Sequence, residues 1–175
     1  TDRWDYWVFR INANTSMNGE QRRNRYNLNG YISANRITPN WKTRLSVNGT
    51  FNEENITLSD GGKVKNIRHS KDFNLLHVKS LSDHWSLGLS NWVSTSTYNN
   101  RKLSLGFMPA LEYNFYPYVE STRHEIRFLY EIGMALNQYE EVTLFDKTEE
   151  TLYFEKLSII WESKKVWGQA EMELE

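Results

Sequence analysis

The chain has 175 residues, with 21 basic and 22 acidic side chains and a formal net charge of −1. That length bounds it to one domain, and the balanced charge gives no bulk case for nucleic-acid binding. The absence of cysteine excludes a disulfide framework and thiolate metal sites. A mean hydropathy of −0.70 is low for a large apolar core, yet 14% aromatic residues do not fit a disordered chain.

Reading in chain order, period two dominates. Trp7, Phe9, Ile11, Ala13 and Thr15 alternate with Val8, Arg10, Asn12, Asn14 and Ser16. Leu28, Gly30, Ile32 and Ala34 alternate with Asn27, Asn29, Tyr31, Ser33 and Asn35. Leu45 and Val47 continue the pattern after Trp41. In 72–81 the apolar set is read as Leu76 and Val78; Leu87 and Leu89 follow Trp85. Leu103, Leu105, Phe107, Leu111 and Tyr113 form the next set, then Ile126, Phe128, Tyr130, Ile132, Met134 and Leu136. Tyr153, Leu157, Ile159 and Trp161 precede a last set of Val166, Ala170, Met172 and Leu174. No helical period and no apolar run of the roughly 18 residues needed for a spanning helix interrupts them.

About nine strands are therefore expected, many with extended patterns well beyond the ~5–6 residues common in soluble sheets and close to the ~9–11 of a tilted membrane strand. The connections point the same way. Residues 18–25, 52–71 and 138–150 read as long polar loops and 97–101 as an intermediate one. Between them fall shorter connections at 38–40, 82–84, 116–122 and 163–165. Alternating short and long connections are those of an up-and-down outer-membrane barrel. Pro109, unable to donate to a ladder, is expected at a bulge.

Aromatic residues cluster at the short-turn end. Trp7, Trp41, Trp85, Tyr116, Tyr118, Trp161 and Trp167 are the expected interfacial girdle, with Trp4 at the same end. The apolar set would face lipid, with Glu155 and Arg36 as its charged exceptions. The inward set holds a charge network of Arg10, Lys42, Arg44, Glu112, Arg127, Glu131 and Glu162, with Lys156, Glu171 and Glu173 beside it. Because buried charges persist when paired, these residues would fill and plug the lumen; a selective passage is the other use of the same set. Arg44 is the cation expected to have an acid partner there.

The stretches SANRITPNWKTRLS (33–46), VKSLSDHWSLG (78–88) and PALEYNFYPYVESTRHEIRFLYEIG (109–133) resemble the barrel portion of uncharacterised outer-membrane proteins of Gram-negative bacteria. The similarity runs over most of the chain. It implies an outer-membrane location and a barrel preceded by a periplasmic part and continued by further strands, and it carries over no catalytic residue.

The expectation is thus an all-β protein: one domain over residues 1–175, an up-and-down antiparallel transmembrane β-barrel with about nine strands. The opening at TDRWDYW, with no signal peptide, reads as a mature or trimmed chain. With nine strands the sheet would be unclosed and incomplete at the carboxyl end, part of a larger even-stranded barrel or closed through another chain. The expected role is a structural or interaction component of the outer membrane, whose partners are the lipid bilayer and other outer-membrane or periplasmic chains. A small-solute channel or transporter, and a soluble lipocalin-like carrier, are the alternatives. No enzyme, cofactor or metal site is expected. His69, His84 and His124 fall in or beside connections, and only His77 can sit on a strand wall, with Ser80 and Ser90 as possible neighbours. No nucleophile elbow, HExxH or phosphate loop occurs.

Overall fold

A computed structural model describes residues 4–120, 123–166 and 168–174. It contains nine strands: β1 (Trp7–Glu20), β2 (Arg23–Ile37), β3 (Trp41–Thr57), β4 (Lys63–Ser80), β5 (Trp85–Ser96), β6 (Arg101–Asn114), β7 (His124–Tyr139), β8 (Glu149–Lys165) and β9 (Gly168–Leu174). All neighbours are antiparallel, in the order β1 to β9 of the chain, in a single up-and-down sheet. β1 and β9 are not paired with each other, so the sheet is open.

The hairpin ends at residues 38–40 and 81–84 share one local device. Thr38 Oγ1 accepts the Trp41 N–H at 3.0 Å, and the Thr38 N–H donates to the Trp41 carbonyl at 2.8 Å. Ser82 Oγ accepts the Trp85 N–H at 3.2 Å, and Leu81 N–H reaches the Trp85 carbonyl at 2.8 Å. A hydroxyl three residues before each Trp closes the turn and sets that Trp as the first residue of its strand.

Opposed residues share a face. Phe9–Ala34–Leu45–Leu75 is one row, and Ile11–Ile32–Val47–Phe73–Val93–Leu105–Leu136 another. The complementary rows are polar, such as Asn14–Asn29–Thr50–Ser70. Burial is inverted relative to a water-soluble sheet. Ile11 is 75% exposed, Ile132 53% and Leu157 55%, whereas Ser33 is 3% exposed and Ser158 1%. Among the described residues, Ala135 and Ile160 are the only hydrophobic side chains that are buried. The polar face is the concave one: Lys42 on β3 and Arg127 on β7 line one cavity although three strands lie between them.

Several details differ from the sequence reading. Leu76 and Val78 lie on the polar face, opposite Arg44 and Lys42; Phe73 and Leu75 hold the apolar positions of β4. Leu75 and Leu76 are adjacent, so two phases fit the apolar residues of β4. Residues 18–25 and 52–71 are mostly strand, reduced to turns at 21–22 and 58–62, with Gly61 at a φ of 86°. The connection 115–123, at the end expected to have short turns, is longer than those at 58–62 and 97–100, and includes a 3-10 turn at Tyr118–Glu120. Loop length therefore does not sort by end; polar strand extension does. Pro109 sits at no bulge. It pairs with Leu89, the rungs at Met108 and Pro109 toward β7 lapse, and the register resumes unchanged at Ala110–Glu131. The irregularities fall instead at Ser94/Ser96 and Arg101/Leu103.

One part of the concave face is aromatic. The Trp92 ring lies over Gly106 and the Phe154 ring over Gly133, with ring centroids 6.2 Å apart. A Cβ on Gly106 would fall 1.9 Å from the indole, whereas Gly30 and Gly49 have open space at that position. Gly106→Ala is therefore expected to cost about 1–3 kcal/mol by overpacking, with Gly30→Ala and Gly49→Ala nearly neutral. Urea midpoints of the three variants test the contrast.

Candidate charge site at the short-turn end

Glu112, on β6, is the centre of the site. Its Oε1 accepts from Ser86 Oγ at 3.2 Å, Asn114 Nδ2 at 3.1 Å and the Tyr118 hydroxyl at 3.2 Å. Arg127 Nη1 stands 3.6 Å from its Oε2, and Arg127 Nε 3.5 Å from Glu125 Oε1. The ladder explains the assembly: Ser86 opposes Glu112 across β5–β6, and Asn114 opposes Arg127 across β6–β7. These groups open on a cavity of about 390 Å³, also lined by the 37–42 turn and Lys42. Burial, to which the Glu112 charge adds, raises the Tyr118 hydroxyl above its ordinary range.

The expected residues divide as follows. Lys42, Glu112 and Arg127 meet at this cavity. Arg10 and Arg44 are on the same face, opposite Ser33 and Asn35, and among the described residues neither forms an ion pair within 4 Å. Arg44 thus has, among the described residues, no acid partner of the kind anticipated. Glu131 opposes Lys156 further along the strands. Glu162 is held by Lys164 at 2.8 Å and by Gln169 Nε2 at 2.6 Å.

Of the expected girdle, Trp7, Trp41, Trp85 and Trp161 lie on the apolar face near the same end. The Trp41 ring packs tilted against His77 at 4.9 Å, and Lys79 Nζ lies 5.2 Å from its centroid. Tyr116 belongs to the 115–123 connection and packs against His124 at 6.0 Å. Tyr118 is a correction: its hydroxyl turns to Glu112 on the polar side, because the 3-10 turn folds back over the end of the sheet. Trp167 lies outside the described residues.

The histidines are dispersed. His77 accompanies Thr43 and Leu89 on the apolar face, opposite in phase to Ser80 and Ser90, so the suggested grouping does not form. The His84 Nδ1–H donates to the Asn114 carbonyl at 2.8 Å. Among the described residues, no group of three His, Asp or Glu side chains is placed to hold a metal.

Two features escaped the sequence reading. Glu125 shares the phase of Arg127 and was legible two residues before it, as was Asn114 two residues after Glu112. The other is a second charge cluster at the far end, hidden because 18–25 and 52–71 read as loops. There Glu54 on β3 accepts from Arg23 and, at 2.7 Å, from Arg25 on β2. Between the two clusters the concave face of β1–β4 is mostly amide and hydroxyl, with Asn12, Asn14, Asn29, Asn48, Thr50, Ser70 and Asn74, and it carries a carboxylate, Asp72, opposite Asn48 and Ser94. Thr50 and Ser70 hydroxyls bond at 2.8 Å. Comparison of the chain with protein families, characterised proteins and solved structures finds no match.

Two predictions follow the geometry. Arg127→Ala strips the nearest cation from Glu112; with both side chains partly exposed, the cost is about 1–2 kcal/mol, below that of a fully buried pair. Arg44→Ala costs a few tenths of that, and a urea double-mutant cycle of R127A with E112Q shows coupling. At the far end, hydrogen bonds from Arg23 and then Arg25 lower the Glu54 carboxyl from 4.5 to about 2. A depressed carboxyl stabilises the fold above its unfolded value, and that contribution is lost as pH falls from about 4.5 through 2. R23A/R25A should move the acid titration of Glu54, followed by NMR, back toward 4.5.

Proposed function

We propose that this chain forms part of the wall of an outer-membrane β-barrel. Its apolar face lies in lipid and its concave polar face lines the interior. It acts as a structural or interaction component of the outer membrane. The observation that carries the reading is the exposed apolar face, from Phe9, Ile11 and Ile32 on β1–β2 to Ile132 and Leu157 on β7–β8. Covering a large apolar side chain contributes roughly 1.5–3 kcal/mol. Leaving even about ten in water would forgo more than the ~5–15 kcal/mol by which a domain is stable. Lipid covers that face without loss, while backbone groups stay satisfied in the ladder.

The spanning part runs on β3 from Trp41, at one interface, to about Phe51. Beyond it both faces carry charge, with Glu53 and Lys65 on the apolar side and Arg25 and Glu54 on the other. The Glu112–Arg127–Tyr118 cluster, with the 3-10 turn at Tyr118–Glu120, would plug the near end of that interior. A soluble lipocalin-like carrier would need an apolar concave face, and here that face is predominantly polar.

β1 and β9 run in the same direction, since eight antiparallel pairings separate them. Pairing both free edges antiparallel takes an odd number of further strands, from this polypeptide or another chain, and the total becomes even, as in bacterial barrels. Unclosed, each unpaired edge group in hydrocarbon costs several kcal/mol.

A small-solute channel is the second reading, favoured by the Asn/Ser/Thr wall of β1–β4, in which Asp72 places a carboxylate. Conductance of the reconstituted protein in planar bilayers separates the two: a plugged wall gives no stable conductance, a channel does.

Arg placed at Leu45, Phe128 or Ile132 should block insertion, at about 2–4 kcal/mol per midplane residue. Arg at Asn12 or Ser46 should be tolerated. Protease protection in vesicles is the readout, and equal damage to both sets would overturn the assignment of faces.

A further inference from the structure

The outward face of β4 changes character above Phe73. Lys71, His69, Lys65 and Lys63 share the phase of Phe73 and Leu75 and are exposed, with the exposed Ile67 between His69 and Lys65. Among the described residues, Lys63 and Lys71 form no ion pair; Lys65 is held by Glu53 at 3.0 Å, which is the acid on the adjoining outward face of β3. On the β5 side the neighbours are Thr95 opposite Lys71 and Thr97 beside His69. Gly49, opposite Lys71, has open space where a side chain would stand.

The level of this stripe follows from the ladder. Trp41 and Lys79 are opposed at the near interface. Lys71 is eight residues above Lys79, about 26 Å of strand at roughly 3.3 Å per residue. With a strand tilt of about 35–45° that is about 20 Å along the normal, and His69 stands at about 25 Å, the height of the apolar band of such barrels. The stripe thus begins where hydrocarbon ends, and a lysine stem covers the remaining few ångströms.

We propose that Lys71, with His69 beside it, binds the phosphate-bearing headgroup of a lipid in the far leaflet. The inference rests on the membrane reading above. A peripheral acidic protein would meet these cations only above the bilayer; Lys71, flanked by Phe73 on the same face, is placed for a ligand whose acyl chains lie against the sheet. Lys63 stands eight residues, about 26 Å of strand, beyond Lys71 and so above the headgroup layer, and Lys65 is held by Glu53. Each lysine near an anionic surface strengthens association by about fivefold.

The test uses the full chain in neutral phosphatidylcholine vesicles doped with dansylated diphosphorylated lipid A or its dephosphorylated counterpart. Energy transfer from the tryptophans reports the half-saturating mole fraction, and protease protection in undoped vesicles reports insertion separately. The phosphorylated lipid should half-saturate at a mole fraction about fivefold lower, in keeping with one engaged lysine. K71Q should bring the two lipids within about twofold, whereas K63Q, above the headgroups, and K79Q, at the opposite interface, should keep the difference. An inserted protein that meets both lipids equally, or K71Q behaving as the parent, would overturn the headgroup site while leaving the membrane reading standing. A chain unprotected in every vesicle would overturn both.

Discussion

The unbroken register of the antiparallel ladder is the constraint on which the rest depends. In a sheet, a slip of one residue moves every side chain to the other face. Here that would carry Arg10, Lys42, Glu112 and Arg127 to the apolar side and Ile11, Val47 and Phe128 to the polar one. The ladder holds register even at Pro109, where rungs lapse without a shift. Its bulges sit only near the far ends of β5 and β6, where they do not re-phase the apolar band.

With register fixed, the chemistry is layered by height. Indole rings on the apolar face and the Glu112 cluster on the polar face share the near end. Amides and hydroxyls occupy most of the middle of β1–β4, with the Asp72 carboxylate among them, and charge returns on both faces at the far end. Uncharged hydrogen-bonding groups need no ion pair, so they can line a concave surface without the desolvation that paired charges impose. The Trp92–Phe154 contact over Gly106 and Gly133 adds a small packed region on the polar side of β5–β8. The apolar face therefore meets the solvent of the fold, and the polar face supplies what internal packing there is.

Strand number, direction and the phase of nearly every strand were legible in the sequence because alternation is a local signal and the apolar residues are long and frequent. β4 defeated it: Leu75 and Leu76 are adjacent, as are His77 and Val78, so two phases fit, and only pairing with Leu45 and Val47 on β3 decides. The hairpin extensions were missed because Asn, Glu, Lys and Gly resemble loop composition although they pair as strand. The ion-pair partners were beyond reach, since tilt and stagger of strands decide which charges of one face meet. Tyr118 was misplaced because an irregular connection has no period from which to infer direction. Glu125, in phase with Arg127, and Asn114, in phase with Glu112, were site residues that the pattern offered and the reading passed over.

The central claim is that the apolar face of this sheet is in contact with lipid and the concave face is not. A nitroxide scan of β7 from Ile126 to Leu136, in vesicles, tests it residue by residue through collision with oxygen and with a water-soluble nickel chelate. The account predicts oxygen maxima at 126, 128, 130, 132, 134 and 136, and oxygen minima at the residues between. Nickel maxima at those even positions, or no alternation along the strand, would contradict it.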